Sequence, residues 1–254
     1  MPHYAGSRQV AVLRRRTGGN ESLVTYDNRV LITLPVAYWP LNDAAMSPVV
    51  ASSVSGIGNG VVTGATPAGN TFLDGSNAIT EDGSGDTINM YSAGLASAWN
   101  GNLGSMLCWA KVTSGFWTDG NLHTLFHFEP GTFDFQAYKS SNNAMQLRRR
   151  STEAVSVGSF APTDWFCVLC TWDYAGTGQF NAYTRINGDS LTLRGTANAI
   201  SNAATATLPS NGATLGSNGG GALPWLGAIR AFAIWDRVLD VTERNDVTSI
   251  TVPP

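Results

Sequence analysis

Val36-Ala37-Tyr38-Trp39-Pro40-Leu41-Asn42-Asp43 sets two large aromatic rings side by side in an apolar run and closes on two small polar residues. Read as a strand, the run sends Tyr38 and Trp39 to opposite faces, because successive side chains alternate. The two rings therefore do not make one flat stacking platform. Burying each is worth about 1.5–3 kcal/mol, and Pro35 and Pro40 bracket the run as a short edge or entry strand. Trp39 is expected in a core. Trp109, Trp165, Trp172 and Trp235 sit inside apolar alternations and receive the same reading.

The same pattern recurs outward from that stretch. Strands are expected at Ser105–Val112, Leu122–Phe128, Thr132–Tyr138, Ala144–Arg148, Trp165–Asp173, Gln179–Asn187 and Trp225–Asp236. Turn signals separate them: EPGT, KSSNN, APTD, YAGTG, NGD and GSNGGG. In Gln179–Asn187, alternation puts Phe180, Ala182, Thr184 and Ile186 on one face. In Trp225–Asp236 it groups Ile229, Ala231, Ala233 and Trp235 against Leu226, Arg230, Phe232 and Ile234. Both faces of that last strand are apolar, so it should be central or covered. One helical candidate stands out, DVTERNDV, where Asp240 is an N-cap and Glu243 lies three residues on.

Composition narrows the function. Of the 254 residues only 13% are charged, 28 are glycine, and the net charge is −3. Such a weak field gives no reason to expect nucleic acid, and no apolar run approaches a membrane span. The N-terminal stretch lacks a signal-peptide core, so synthesis in the cytosol and export, if any, by another route are expected. Arginines gather at Arg14-Arg15-Arg16 and Arg148-Arg149-Arg150, which read as solvated surface, as salt-bridge donors between subunits, or as a polyanion patch. Cys167 and Cys170, three apart in a strand-like run, are too far separated for a disulfide and read as buried thiols. His123 and His127 would share a strand face about 13 Å apart, too far for one metal. Residues 1–24, ending in a Gly-rich hinge, read as an N-terminal arm, and 25–254 as one domain.

Five segments in order resemble laminin-G-like domains of the concanavalin A-like lectin/glucanase superfamily. They are TYDNRVLITLPVAYWPLND (25–43), TFLDGSNAIT (71–80), SMLCWAKV (105–112), DWFCVLCTWD (164–173) and the run from Ala213 to Arg244. The resemblance covers about residues 26–250 and implies an all-β jelly-roll β-sandwich of two antiparallel sheets. Glucanases of the superfamily carry an ExDxxE-like strand whose carboxylates sit about 5 Å apart. None of the five glutamates here has an aspartate two residues later on a strand, and Glu129 and Asp134 are the nearest candidates. No enzymatic role is expected.

Two functions from different classes follow. The resemblance to single-domain proteins of tailed phages and prophages implies a non-catalytic virion decoration or structural subunit. It would be displayed on a capsid or tail surface, homo-oligomeric, and anchored to other subunits through residues 1–24 with Arg8, Arg14, Arg15 and Arg16. The alternative is a carbohydrate-binding or adhesion module for cell-surface glycans. Its candidate residues lie in expected loops: Trp99, Trp117 with Asp119 and Asn121, and Trp225. Each tryptophan is either a sugar platform or an anchor packed on its own sandwich. The resemblance also implies Ca2+ at the sheet rim, for which Glu81, Asp82 and Asp86 offer oxygens; the other reading of EDGSGD is a plain acidic turn.

Overall fold

The computed structural model describes residues 25–129, 134–158, 160–202, 207–219 and 221–250. Two antiparallel sheets form a jelly-roll sandwich, each with eight strands among the described residues. The first runs β14 (Thr192–Asn198), β13 (Gln179–Ile186), β12 (Phe166–Asp173), β7 (Leu103–Val112), β16 (Leu226–Trp235), β5 (Asn77–Asp82) and β4 (Thr66–Thr71). A further strand, β1 (Ala37–Trp39), pairs with β16 beyond the end of β5. The second runs β11 (Ala154–Ser156), β10 (Met145–Arg148), β9 (Phe135–Lys139), β8 (His123–Phe128), β15 (Ala213–Leu215), β6 (Thr87–Asn89), β3 (Gly60–Thr63) and β2 (Val49–Val50).

The opening stretch lands as its alternation requires. Trp39 points between the sheets, 6.2 Å from the ring of Phe232, in a core shared with Trp172, Phe126, Phe128 and Phe135. Tyr38 points the other way, into a second apolar layer with Trp109, Trp165 and Trp235. That layer is closed by two helices, α1 (Tyr26–Ile32) and α3 (Val241–Thr248). Buried indoles need partners for their N–H groups, and here Trp109 donates to Tyr26 Oη at 2.9 Å and Trp235 to Thr33 Oγ1 at 3.0 Å. Tyr26 in turn donates to the Val247 carbonyl at 2.8 Å, joining α1 to α3. The outer face of the first sheet is thus sealed with apolar and indole groups. The face left for ligands belongs to the second sheet.

Three expectations need correction. The chain has more helix than the single candidate: α1, capped by Thr25 Oγ1, and a short α2 (Ala93–Ala98), capped by Ser92, join α3, whose Asp240–Glu243 capping box forms as read. On β16 the face assignment fails at one residue. A bulge between Arg230 and Phe232 leaves Ala231 at φ 57°, so Ile229 joins Phe232 and Ile234 between the sheets while Arg230 faces α1. The extra residue shifts the alternation by one. The second arginine triplet is consumed internally. Arg148 pairs with Asp134, Arg149 is fully buried 2.6 Å from Glu153, and Arg150 donates to Ser201 Oγ at 3.1 Å. It forms neither a solvated stripe nor a polyanion patch.

Cys167 and Cys170 are free and buried on opposite faces of β12, and Cys108 is free and buried as well. Among the described residues no helix is long and apolar enough to cross a membrane. The arm, with Arg8, Arg14, Arg15 and Arg16, lies outside the described residues.

Candidate functional site

Directly opposed residues of antiparallel strands share a face, and in the second sheet they trace one line across six strands. Arg148 opposes Gln136, Gln136 opposes His127, His127 opposes Thr214, Thr214 opposes Asn89, and Asn89 opposes Val61. The intervening residues Phe126, Phe128, Phe135, Ala137, Leu147 and Leu215 fill the core beneath. Alternation alone therefore delivers a polar row to the outside of an apolar sandwich.

Loops bracket the row. His127 Nδ1 accepts the Gly219 amide at 3.1 Å, which places the ring proton on Nε2, 2.8 Å from Asp134 Oδ1. Arg148 binds the other oxygen of Asp134 and lies over the Tyr138 ring. Burial would raise the Asp134 carboxyl, but the His127 contact and the Arg148 charge outweigh it and hold Asp134 below its usual range. It stays an anion with both oxygens engaged, a poor proton donor. Glu129, the other carboxylate considered for catalysis, is exposed.

Where the row meets β6 and β3, a groove of about 510 Å3 opens. Val61, Thr63, Thr87, Asn89 and Thr214 contribute from the strands, with Gly85, Asn211, Gly219 and Gly221 from the loops around them. The 217–222 turn is set by Asn218, whose amide donates to the Ala222 carbonyl and whose side chain accepts the Ala222 amide, both at 3.0 Å. The groove holds hydroxyls, amides and exposed glycine backbone, and no ionised side chain lines it. Thr87 Oγ1 has no protein partner although it is buried, so it is available to a ligand hydroxyl. Such a surface can hydrogen-bond a neutral polyol, and it presents no pair of carboxylates for hydrolysing one.

The residues singled out in the sequence lie elsewhere. Trp117, Asp119, Asn121 and Trp225 do come together, around Phe116, at the rim where β8 begins. Trp225 is fully buried there, its ring 4.7 Å from Phe116 and its N–H on the Lys111 carbonyl at 3.2 Å, so it offers no face to a sugar. Trp117 is half-buried and donates to the Pro162 carbonyl at 2.7 Å. Asp119 lies 2.6 Å from His123 Nε2 and binds the buried Lys139, whose ammonium also donates to the Asn121 carbonyl at 2.7 Å. Burial raises the Asp119 carboxyl, yet bonds from Lys139, the Asn121 amide and His123 win and bring it to about 2. Trp99 sits at the other end of β8, stacked 5.4 Å from Phe128 and edge-on 5.0 Å from Phe135. These side chains are spent on holding their own sandwich.

The three acidic residues offered for calcium do not converge. Glu81 and Asp82 are neighbours on β5 and point to opposite faces. Asp86 accepts the amides of Asp82 and Gly83 within its own turn, and Asp82 accepts that of Ser84. Among the described residues no group of three His, Cys, Asp or Glu side chains is placed to hold a metal. Glu81 is buried with both oxygens unpartnered. Burial first, then the charges of Asp86 and Asp82, push its carboxyl well above the usual range, which favours a neutral acid over a metal ligand.

No family model matches the chain, and no curated protein matches it in sequence. Solved structures match it in fold. The sialidase of Trypanosoma rangeli, in complex with sialic acid, aligns with a TM-score of 0.58 at 13% identity, over 84% of this chain and 32% of that one. The binding domain of botulinum neurotoxin serotype D gives 0.54 at 16% identity, over 84% and 50%. The receptor binding domain of the mosaic serotype C/D neurotoxin gives 0.57 at 16%, again over 84% and 50%. This chain thus spans about a third of the sialidase and half of each toxin domain. At these identities the likeness establishes the architecture, a lectin-like β-sandwich.

Sequence reasoning missed the groove because its residues come from strands far apart in the chain. The one local signal was the polar alternation in Thr87–Asn89, too short to stand out.

Proposed function

We propose that this protein is a non-catalytic carbohydrate-binding module, and that the groove on the open face of the second sheet takes a glycan. One observation carries the reading: a polar row across six strands leads into a groove of hydroxyls, amides and glycine backbone, while the other sheet is sealed by helices. Recognition would come from Thr87, Asn89 and Thr63 on sugar hydroxyls, with Val61 against an apolar ring face. Such pockets pair a few placed polar groups with an apolar surface. The domain runs from about residue 25, after the arm.

Glycan screening of the full chain, with the Thr87→Val/Asn89→Ala variant beside it, tests this. Sialylated oligosaccharides come first, because the sialidase of the same fold was captured with sialic acid. Specific binding lost in the variant, with an unchanged melting temperature, supports the reading. Binding that the variant leaves intact contradicts it.

A second reading is the finer one implied by the laminin-G-like resemblance, a virion decoration subunit anchored by residues 1–24 and assembled as a homo-oligomer. Its support is the basic arm in the sequence, and a decoration protein can also bind glycans. Sedimentation of the full chain separates the two: a monomer with glycan affinity leaves the assembly reading without ground.

A further inference from the structure

A second groove, of about 1040 Å3, opens between the end of α1, the 53–57 loop and α2. Leu31, Ile32, Leu34, Val54, Ile57 and Ala98 line it, and no charged residue does. Its lip is unusual for a surface. Ile32 is 64% exposed and Leu34 70% exposed, and Leu34 is held at φ 54°, a conformation disfavoured outside glycine. Apolar side chains presented together in a concave, uncharged groove mark a place where something docks.

We propose that the occupant is the Val10–Leu13 run of the same chain. Three facts select it. The arm joins α1 directly, and α1 is itself a wall of the groove. Within residues 1–24, Val10-Ala11-Val12-Leu13 is the one apolar run, flanked by Arg8 and by Arg14–Arg16, which an uncharged groove would leave at its mouth. Reach is ample: twelve residues from Leu13 to Thr25 span up to about 40 Å, whereas α1, with seven residues, is about 10 Å long. A tethered segment also outcompetes a free one, because linkage raises its local concentration to the millimolar range. Docking would cover Ile32 and Leu34, and releasing it would free an apolar strand and an apolar groove at once. This device is separate from the glycan groove, and its test does not depend on that reading.

The test pairs Leu13→Cys with Ile57→Cys in the full chain, with Leu13→Cys and Thr63→Cys as the control. The natural cysteines are buried and do not compete. Under mild oxidation the first pair should close within a monomer and the control should not. In a separate full-length variant, Val10→Asp/Leu13→Asp, hydrogen exchange at residues 31–36 and 53–57 should rise severalfold. Both substitutions lie outside the sandwich, so loss of folding does not obscure the result. Unchanged exchange together with no cross-link overturns the proposal, as does a cross-link formed only between two chains, which would make the occupant a second copy.

Discussion

The imidazole of His127 and the amide of Gly219 meet at 3.1 Å, and that bond ties the 217–222 turn to the polar row of the second sheet. A strand residue thereby sets the position of a loop that lines the candidate glycan groove. His127→Phe removes the acceptor for Gly219 and the donor for Asp134 together. The expected result is at least a tenfold fall in glycan affinity, about 1.4 kcal/mol, measured by titration calorimetry. A glycan affinity equal to that of the parent protein would separate the turn from the site.

Arg230 is fully buried against α1, with Nη2 at 3.0 and 3.2 Å from the two oxygens of Asp27, Nε on Ser76 Oγ and Nη1 on the Pro40 carbonyl. Removing one partner of a buried pair strands the other charge and costs about 3–5 kcal/mol. Arg230→Ala should lose stability on that scale in urea denaturation. Exchange should rise first in α1, because its docking depends on Asp27.

Acid stability should report the rim. The Asp119 carboxyl is brought down to about 2, below its unfolded value of 3.8. Its contribution is therefore complete above pH 4 and is lost as pH falls through 2. With the side chain 22% exposed, Asp119→Asn should cost about 1–2 kcal/mol at neutral pH after allowance for screening. The difference from the parent protein should vanish near pH 2.

Glu81 works with the opposite sign. Its folded carboxyl is held well above the usual range by burial, so the native state keeps a proton that the unfolded chain releases. Stability is complete below about pH 4 and declines as pH rises toward the folded value. Glu81→Met removes both unpartnered oxygens and should stabilise the protein by about 1–3 kcal/mol at pH 7. At pH 4 the gain should shrink. Thermal melts at the two pH values check it.

What could be read in advance follows from how local each signal is. Tyr38 and Trp39 separate by simple alternation, and β7, β12 and β13 follow from the same rule. The Asp240–Glu243 box is three residues of self-contained capping chemistry. By contrast, α1 is seven residues with two buried side chains, too short for a periodic signal, and Thr25 as its N-cap was the one available cue. The bulge at Ala231 inverted a face assignment because nothing local announces an inserted residue. Arg149 looked like surface because its partners, the carbonyls of Gly101 and Ser201, lie 48 and 52 residues away. The groove was the least legible feature. Its residues are neighbours only through the order β8-β15-β6-β3, which is a property of the completed fold.

Chemical-shift mapping by NMR during titration with a glycan found in the screen tests the central claim most directly. The groove account predicts saturable shifts concentrated at Val61, Thr63, Thr87, Asn89, Thr214 and Gly219. Saturable shifts confined to the Trp117–Asn121 rim, with the second sheet unperturbed, would contradict it.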